Sequence, residues 1–169
     1  MAVRRFLPWP DPCLRRIASP VAGVDDHIHS LWDDMLETMY LMPGIGLAAP
    51  QIGQSLRLAV VDCSAGKGEA IRLANPEILH QSSRLNEEVE ASPNLPGVSA
   101  TISRPRAVTI GYLDETGVPV EKDFVGLWAT SVQHQIDHLN GRMYFDHLTQ
   151  VKRRMLLAKA AKLARRKDR

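Results

Sequence analysis

The strongest periodic segment of the chain lies near its N-terminus. In DDHIHSLWDDMLETMYLM, residues 25–42, apolar side chains recur every three or four positions, which is the spacing of one helix face. Asp25 or Asp26 is suited to cap this helix, and Pro43-Gly44 follows its last apolar turn, where helices end. We assign its apolar stripe to the core: Ile28, Leu31, Trp32, Met35, Leu36, Met39 and Tyr40.

The middle of the chain carries the short apolar runs that are typical of strands. LRLAVVD (56–62), AIRLANPEIL (70–79) and AVTIGYLDETGVPVEKDF (107–124) are rich in β-branched residues and are punctuated by Gly and Pro. The last of these runs predicts a hairpin that turns near Glu115-Thr116-Gly117, because a Gly-containing turn separates its two apolar halves.

The remaining segments predict two further helices. One contains QHQIDHL (133–139), and the other is the tail, 151–169. The order helix, strands, helix, helix favours an α+β fold with a mainly antiparallel sheet. We expect one domain over residues 1–150, followed by the helical tail. In the first of these helices Trp128, Val132, Ile136 and Leu139 form the predicted buried stripe, with His134 and His138 on another face.

The charge of the chain is unevenly distributed. The formal net charge is +2, but the 19 residues from Val151 onward hold nine basic residues and one acidic residue, or +8. The first 150 residues therefore hold 12 basic and 18 acidic residues, or −6. A basic tail on an acidic body predicts an anionic partner for the tail, and a solvated surface helix is the plainer alternative.

Composition indicates an ordinary globular protein of the cytoplasm. The 169 residues include 44% hydrophobic and 24% charged side chains, with no run of 18 apolar residues that would predict a membrane span. The first residues, MAVRRFLPWPDPCLRR, lack the apolar stretch of a secretory signal. Cys13 and Cys63 are then expected to be reduced thiols.

Two histidines in QHQIDHLNG (133–141) have the spacing of a helical metal site. His134 and His138 are four residues apart, so their Cβ atoms are about 5–6 Å apart on one side of a helix, and both imidazoles can reach one Zn²⁺ or Fe²⁺. Metallohydrolases with this spacing place a glutamate after the first histidine, whereas this chain has Gln135. The spacing alone leaves open whether the pair binds a metal or only packs.

A second segment, GIGLAAPQIG (44–53), helps to decide what the histidine pair does. The two segments together resemble the peptide deformylase family, whose motifs GxGLAAxQ and QHExDHLxG they match except at Gln135. Other family-like stretches are PDPCLRRIASPV, LANPEI and RPRAVTIGYLDETG, so that the resemblance runs from about residue 7 to about residue 148. The positions that match the motifs are Gly44, Gly46, Leu47, Ala48, Ala49 and Gln51, then Gln133, His134, Asp137, His138, Leu139 and Gly141.

The resemblance implies a fold, an activity and a set of roles. It implies mainly antiparallel sheets around a central HxxxH helix, a C-terminal helix, and removal of the formyl group from formyl-methionyl peptides. It further implies Fe or Zn held by His134, His138 and a cysteine, a glutamate as general acid/base, and Gln51 with a backbone N–H as oxyanion donors. The implied peptide groove comprises Gly44, Ile45, Gly46, Pro93 and Asn94.

Three of those roles fall on unsuitable residues in this chain. The family motif EGCLS aligns with EASPN, which puts Ser92 at the cysteine position, and a neutral hydroxyl is a weak metal ligand. Pro93 has no backbone N–H to stabilise an oxyanion. Gln135 cannot carry a proton at neutral pH. Glu90, the first residue of the motif, is expected to form a structural ion pair with Arg104.

These substitutions lead to one main hypothesis and three alternatives. We expect a degenerate family member that holds metal weakly or not at all, has little or no activity, and keeps a groove for (formyl-)methionyl peptide N-termini. A slow metal-dependent deformylase is one alternative, and motifs that serve only the core are another. The third is a ribosome-associated module that docks on rRNA through its tail, by Lys152, Arg153, Arg154, Arg165, Arg166 and Lys167.

Overall fold

The fold is known from a computed structural model, which describes residues 2–168. Three short 3₁₀ turns accompany its helices and strands: Pro12–Arg15, Ala49–Ile52 and Tyr144–His147. The helices are α1 (Asp26–Leu41), α2 (Leu127–Leu139) and α3 (Gln150–Lys167). The strands are β1 (Gly46–Ala48), β2 (Leu58–Val61), β3 (Ile71–Gln81), β4 (Leu85–Glu90), β5 (Ala100–Pro105), β6 (Ala107–Leu113) and β7 (Pro119–Val125).

All strand pairs within the two sheets are antiparallel, which confirms the predicted α+β fold. A five-stranded sheet has the order β1-β2-β3-β6-β7, and β4 and β5 form a separate two-stranded sheet. The predicted hairpin is present: β6 and β7 pair from Ala107 opposite Val125 to Leu113 opposite Pro119. Gly117 closes the turn with a φ of 79°, a conformation that glycine adopts without strain.

Helix α1 has the predicted cap and the predicted buried stripe. The Asp25 side chain accepts a hydrogen bond from the backbone N–H of Ile28 at 2.9 Å, as an N-cap does. Trp32, Met35 and Met39 are fully buried, in a cluster with side chains of β1 and β2. This helix therefore covers one side of the five-stranded sheet.

Helix α2 is buried on nearly every side and is the centre of the fold. Val132 and Ile136 of the predicted stripe, together with Ala129, pack against the inner side chains of β6 and β7. Leu139 is also fully buried, but in a small separate cluster with Ala18 and Ala48. Trp128 was predicted to be buried but is half-buried, because it lies in the first turn, at the edge of that cluster. His134 also lies in the interior, since the two-stranded sheet packs against the opposite side of the helix.

The basic tail forms helix α3, as predicted, and the helix packs against the body of the protein. Thr149 caps the helix by accepting a hydrogen bond from Lys152 at 3.3 Å. Leu156 and Ala160 are buried in a cluster that includes Tyr144 and Phe145. Within residues 2–168, no helix is long and apolar enough to cross a membrane.

We predict that Gly141→Ala destabilises the fold by at least about 2 kcal/mol, because Gly141 has a φ of 71° and an added Cβ would lie 2.7 Å from the carbonyl carbon of Arg15. Gly23→Ala is the matched control, since no heavy atom lies within 4 Å of its added Cβ. The measurement is the free energy of unfolding in urea. Equal free energies for the two variants would contradict the prediction.

Candidate functional site

A cavity of about 220 Å³ opens between β4, helix α2 and the segment that joins α1 to β1. Its size suits a terminal group and one side chain, because pockets for drug-sized ligands are larger, from about 300 Å³. Its lining combines apolar side chains with a few polar ones. The residues are Met42, Pro43, Gly44, Ile45, Gly46, Gln51, Glu88, Val89, Glu90, Ala91, Pro93, Leu127, Thr130, Ser131, His134 and Gln135.

The two histidines meet at one edge of this cavity. The Nε2 atoms of His134 and His138 are 3.1 Å apart, so both imidazoles converge on one point, as the four-residue spacing predicts. His138 is 1% exposed and lies beneath His134, which itself lines the cavity. Burial, with a further contribution from His134, lowers the pKa of His138 well below its ordinary value.

The carboxylate of Glu90 determines where the protons of this pair lie. Burial alone would raise the pKa of Glu90, but hydrogen bonds and charges from His134 and Arg104 outweigh it and lower the pKa to about 2. An ionised carboxylate can only accept, so His134 Nδ1 donates to Glu90 Oε1 at 2.7 Å. One proton then remains for the two Nε2 atoms to share in their mutual hydrogen bond.

Glu90 also forms the expected ion pair with Arg104. The guanidinium donates to both carboxylate oxygens, at 2.7 and 2.9 Å, and both side chains are buried. Arg104 donates further to Asp137 at 2.9 Å, and Asp137 lies 2.6 Å from His147 Nε2. A chain of charges thus runs from the half-buried His147 to the histidine pair.

Gln51 is engaged with two residues of the EASPN stretch. Its Nε2 donates to Asn94 Oδ1 at 2.8 Å and approaches Ser92 Oγ at 3.5 Å, while its Oε1 accepts from the Ala48 backbone at 2.9 Å. Asn94 also accepts from Ser92 Oγ at 3.0 Å and donates to the carbonyl oxygens of Leu7 and Gln51. The Gln51 amide, which the resemblance implies as an oxyanion donor, is therefore already hydrogen-bonded within the protein.

The donor set at the histidine pair does not fit a tightly held Zn²⁺ or Fe²⁺. Two imidazoles converge there, but the Ser92 hydroxyl hydrogen-bonds to Asn94 and is a neutral, weak ligand. Among residues 2–168, no group of three or more His, Cys, Asp or Glu side chains is arranged to hold a metal. Cys63 Sγ lies 3.7 Å from the carbonyl oxygen of Leu127, and burial raises its pKa to about 11. Cys13 Sγ lies 4.0 Å from the carbonyl oxygen of Pro50.

Gln135 lies in the cavity wall at the position of the family glutamate. Its side chain is 4% exposed, and in the described part of the chain its Oε1 atom has no hydrogen-bond partner. An added Cβ at Gly46 would overlap the Gln135 amide nitrogen, so a larger residue there would require the Gln135 side chain to move. The carboxamide oxygen is therefore a buried acceptor in the wall of the cavity that none of the described residues satisfies.

The predicted groove residues lie together with one exception. Gly44, Ile45, Gly46 and Pro93 line the cavity, and Pro93 presents no backbone N–H to it. Asn94 does not line it; the residue is 1% exposed and its hydrogen bonds are internal, so it acts on the cavity through Gln51.

Four lining residues of the cavity are not predicted from the sequence. Leu127, Thr130 and Ser131 lie on the first two turns of α2, and Glu88 lies on β4. The alternation of polar positions in LNEEVE was the available signal, because it places Glu88 and Glu90 on the same face of a strand.

The six basic residues proposed for ribosome contact all lie on α3. Arg153 is half-buried and lies 3.4 Å from Asp146, whereas the others are exposed: Lys152, Arg154, Arg165, Arg166 and Lys167. Most of them are therefore open to solvent, and none of the six lines the cavity.

Comparisons with known proteins agree with this geometry. A sequence model described as Polypeptide deformylase matches residues 3–154. The chain is 44% identical to peptide deformylases from Methylocella silvestris and Rhodopseudomonas palustris, over 98% of its length and 87% and 97% of theirs. Its fold matches a peptide deformylase from Legionella pneumophila with a TM-score of 0.92 at 43% identity, over 99% of both chains. A deformylase from Ehrlichia chaffeensis in complex with actinonin matches with a TM-score of 0.90 at 33% identity, over 96% of this chain and 98% of that one.

Proposed function

Because the chain belongs to the polypeptide deformylase family, we propose that it binds the N-termini of (formyl-)methionyl peptides and hydrolyses them slowly or not at all. We place this activity in the cytoplasm, where new formylated chains are made. The proposal separates two properties of one site, the recognition of a peptide end and the chemistry performed on it.

The observation that carries the proposal is the state of the residues around an otherwise formed cavity. Gln135 offers a carboxamide where the family has a proton carrier, and Ser92 is hydrogen-bonded to Asn94 where the family has a thiolate. Pro93 lines the same cavity without a backbone N–H. The cavity itself remains open, and its lining combines apolar side chains with a few polar ones.

The expected loss of rate is large because each missing group has a separate role. Loss of one oxyanion donor costs about 10²–10³ in rate, and general acid/base catalysis contributes about 10²–10⁴. Such losses are not additive. Weak or absent metal adds to them, because a metal-activated water is the nucleophile that the family chemistry needs. We therefore propose that His134 and His138 hold little metal in the purified protein.

Retention of peptide binding rests on the walls of the cavity. The Gly44-Ile45-Gly46 segment and β4 face each other across it, so an extended peptide end can lie between two stretches of backbone. Leu127 and Met42 give the first side chain an apolar contact. None of these contacts requires the metal or a proton carrier.

We predict that a fluorescent formyl-Met-Ala-Ser peptide binds saturably to the protein in an anisotropy titration, with no detectable formate release. Ala91→Phe should weaken this binding, because Ala91 is exposed at the lining of the cavity and a phenyl ring there narrows the mouth. Ser83→Phe, an exposed change outside the lining, should leave the affinity unaltered. A flat titration of the unmodified protein up to millimolar peptide would refute the proposal.

We further predict that activity returns in a set order when the missing groups are restored. Ser92→Cys alone should bring tight binding of one Fe²⁺ or Zn²⁺ but little turnover, because Gln135 still cannot carry a proton. Gln135→Glu alone should do almost nothing. The double variant should release measurable formate, and adding Pro93→Leu with Asn94→Ser should raise the rate further, since Gln51 Nε2 then loses its 2.8 Å partner.

The readouts for this series are metal content after dialysis against EDTA and formate release under metal loading. Stoichiometric, EDTA-resistant metal together with formate release by the unmodified protein would show a working deformylase instead. A fully substituted variant that binds metal tightly yet releases no formate would mean that the groove no longer positions a formyl peptide.

A second candidate function is supported by the surface of α3. Seven of its basic side chains are exposed, and the helix is fixed to the body by Leu156 and Ala160. A rigid helix that displays lysine and arginine suits phosphate contacts on RNA. We therefore propose that the protein also docks on the ribosome through α3, near the exit of new chains.

We predict that neutralising four of the exposed α3 cations lowers co-sedimentation with ribosomes at low salt. The variant changes Lys152, Arg154, Arg165 and Arg166 to glutamine, and it spares the buried contacts that truncation of the helix would remove. The control changes four exposed body cations, Arg5, Arg16, Arg84 and Lys122, to glutamine and has the same net charge. Equal pelleting of the two variants would exclude docking through α3.

A further inference from the structure

A second cavity, larger than the one between β4 and α2, lies beside the C-terminal helix. It has a volume of about 740 Å³ and is enclosed by residues 8–10, residues 94–97 and the C-terminal half of α3. That volume lies within the range of small-molecule sites, about 300–1,000 Å³. We call it the α3 groove, and none of the described residues lines both cavities.

The lining of the α3 groove is mainly apolar. It consists largely of leucine, alanine and proline side chains together with the ring of Trp9. Leu157 and Leu163 are half-buried, whereas Ala161 and Ala164 are exposed, so the small side chains leave the space that forms the groove. A contiguous apolar surface of this kind on a protein commonly marks a binding site.

The walls of the α3 groove are fixed before any ligand binds. The backbone N–H of Trp9 donates to the carbonyl oxygen of Asn94 at 2.8 Å, and Asn94 Nδ2 donates to the carbonyl oxygen of Leu7 at 2.7 Å. The Trp9 ring packs edge-to-face against Phe145 at 5.0 Å, and the guanidinium carbon of Arg15 lies 4.6 Å from the Trp9 ring centroid. A ligand therefore does not have to order this wall, which favours affinity.

One end of the α3 groove is positively charged. Its ionisable lining residues are Arg166 and Lys167, both in the last turn of α3, and none of the described residues that line it carries a carboxylate. Within residues 2–168, neither cation has a carboxylate within 4.0 Å. Leu157 lies nine residues before Arg166, which is about 14 Å along the helix axis. The groove thus combines an apolar length with a cationic end.

The α3 groove offers few hydrogen bonds to a peptide backbone. The three prolines of its lining have no N–H, and the N–H groups of Trp9 and Leu95 already donate to carbonyl oxygens of the protein. An extended peptide placed there would leave backbone groups without partners, which is costly. A hydrocarbon chain needs no such partners, so the lining favours an acyl chain over an extended peptide.

We propose that the α3 groove binds a fatty acid, a single acyl chain that ends in a carboxylate. The chain packs on Trp9, Leu157 and Leu163, and the carboxylate is paired with Arg166 and Lys167. The ligand is a free fatty acid in solution. This site is separate from the cavity proposed for peptide N-termini, so the two proposals are tested independently.

The test is isothermal titration with dodecanoate at physiological salt. Dodecanoate should bind at one site, and dodecyltrimethylammonium, which has the same chain with a cationic head, should bind at least about tenfold more weakly. Binding of dodecanoate should also change the tryptophan fluorescence of the protein. Trp9→Phe should remove that change, because Trp32 and Trp128 do not line the α3 groove.

Two pairs of matched variants locate the site. Ala161→Phe should weaken dodecanoate binding by about tenfold or more because it fills the groove, whereas Ala158→Phe changes an exposed alanine of α3 outside the lining and should not. Arg166→Gln with Lys167→Gln should weaken binding by about fivefold, the size expected of exposed ion pairs. Lys152→Gln with Arg154→Gln has the same net charge and should retain the affinity. Circular dichroism melting establishes that the variants are folded.

The proposal is overturned if dodecanoate does not bind at millimolar concentration, or if Ala161→Phe binds it as well as Ala158→Phe does. Equal binding of dodecanoate and dodecyltrimethylammonium would likewise exclude a carboxylate site at the cationic end. A last arm uses flotation with phosphatidylglycerol vesicles. Binding to vesicles that Arg166→Gln with Lys167→Gln abolishes, without binding of dodecanoate in solution, would mean that α3 contacts a membrane surface and that the fatty-acid site is wrong.

Discussion

The ion pair of Glu90 with Arg104 joins the parts of the protein that enclose the cavity. Glu90 ends β4, Arg104 lies on β5, and His134 on α2 donates to the same carboxylate. All three side chains are buried or nearly so. Removing one partner of such a buried pair costs about 3–5 kcal/mol, because the other charge is left uncompensated. The two-stranded sheet is therefore fixed against the central helix, and the cavity is the space left between them.

This arrangement orients the histidines without a metal. His134 is held by its Nδ1–H to Glu90, and the Nε2 atoms of His134 and His138 satisfy each other at 3.1 Å. In metal sites a carboxylate commonly holds the ligand histidine in the same way, so this contact by itself does not distinguish a metal site from a structural pair. The distinction lies in the third donor, where Ser92 is bonded to Asn94.

Local signals in the sequence predicted much of the fold. Caps and apolar stripes give α1, α2 and α3 within a few residues, and the Gly117 turn gives the β6–β7 hairpin. Strands β1, β4 and β5 were not predicted, because β1 has three residues and LNEEVE is polar and half-exposed. Strand β4 is stabilised by pairing with β5 and by the Glu90 ion pair, which are contacts that no short window of sequence contains.

The candidate site was likewise predictable only where its residues are close together in the sequence. His134, Gln135 and His138 could be identified because they lie on one helix. The hydrogen bond between Gln51 and Asn94 could not be predicted in this way, because it joins residues that are 43 positions apart in the sequence. Glu88 was not predicted as a lining residue, because a glutamate in an acidic, half-exposed strand is usually solvated.

The pairing of Gln51 also bears on the proposed separation of binding from catalysis in this cavity. A ligand carbonyl that approaches Gln51 Nε2 must displace Asn94 Oδ1 at 2.8 Å, so it exchanges one hydrogen bond for another and gains little. In the proposed function, the apolar side chains of the lining are what favours a ligand. They do not stabilise negative charge on an attacked carbonyl oxygen. They would bind the ground state of a peptide end and its transition state about equally, and such interactions give affinity without turnover.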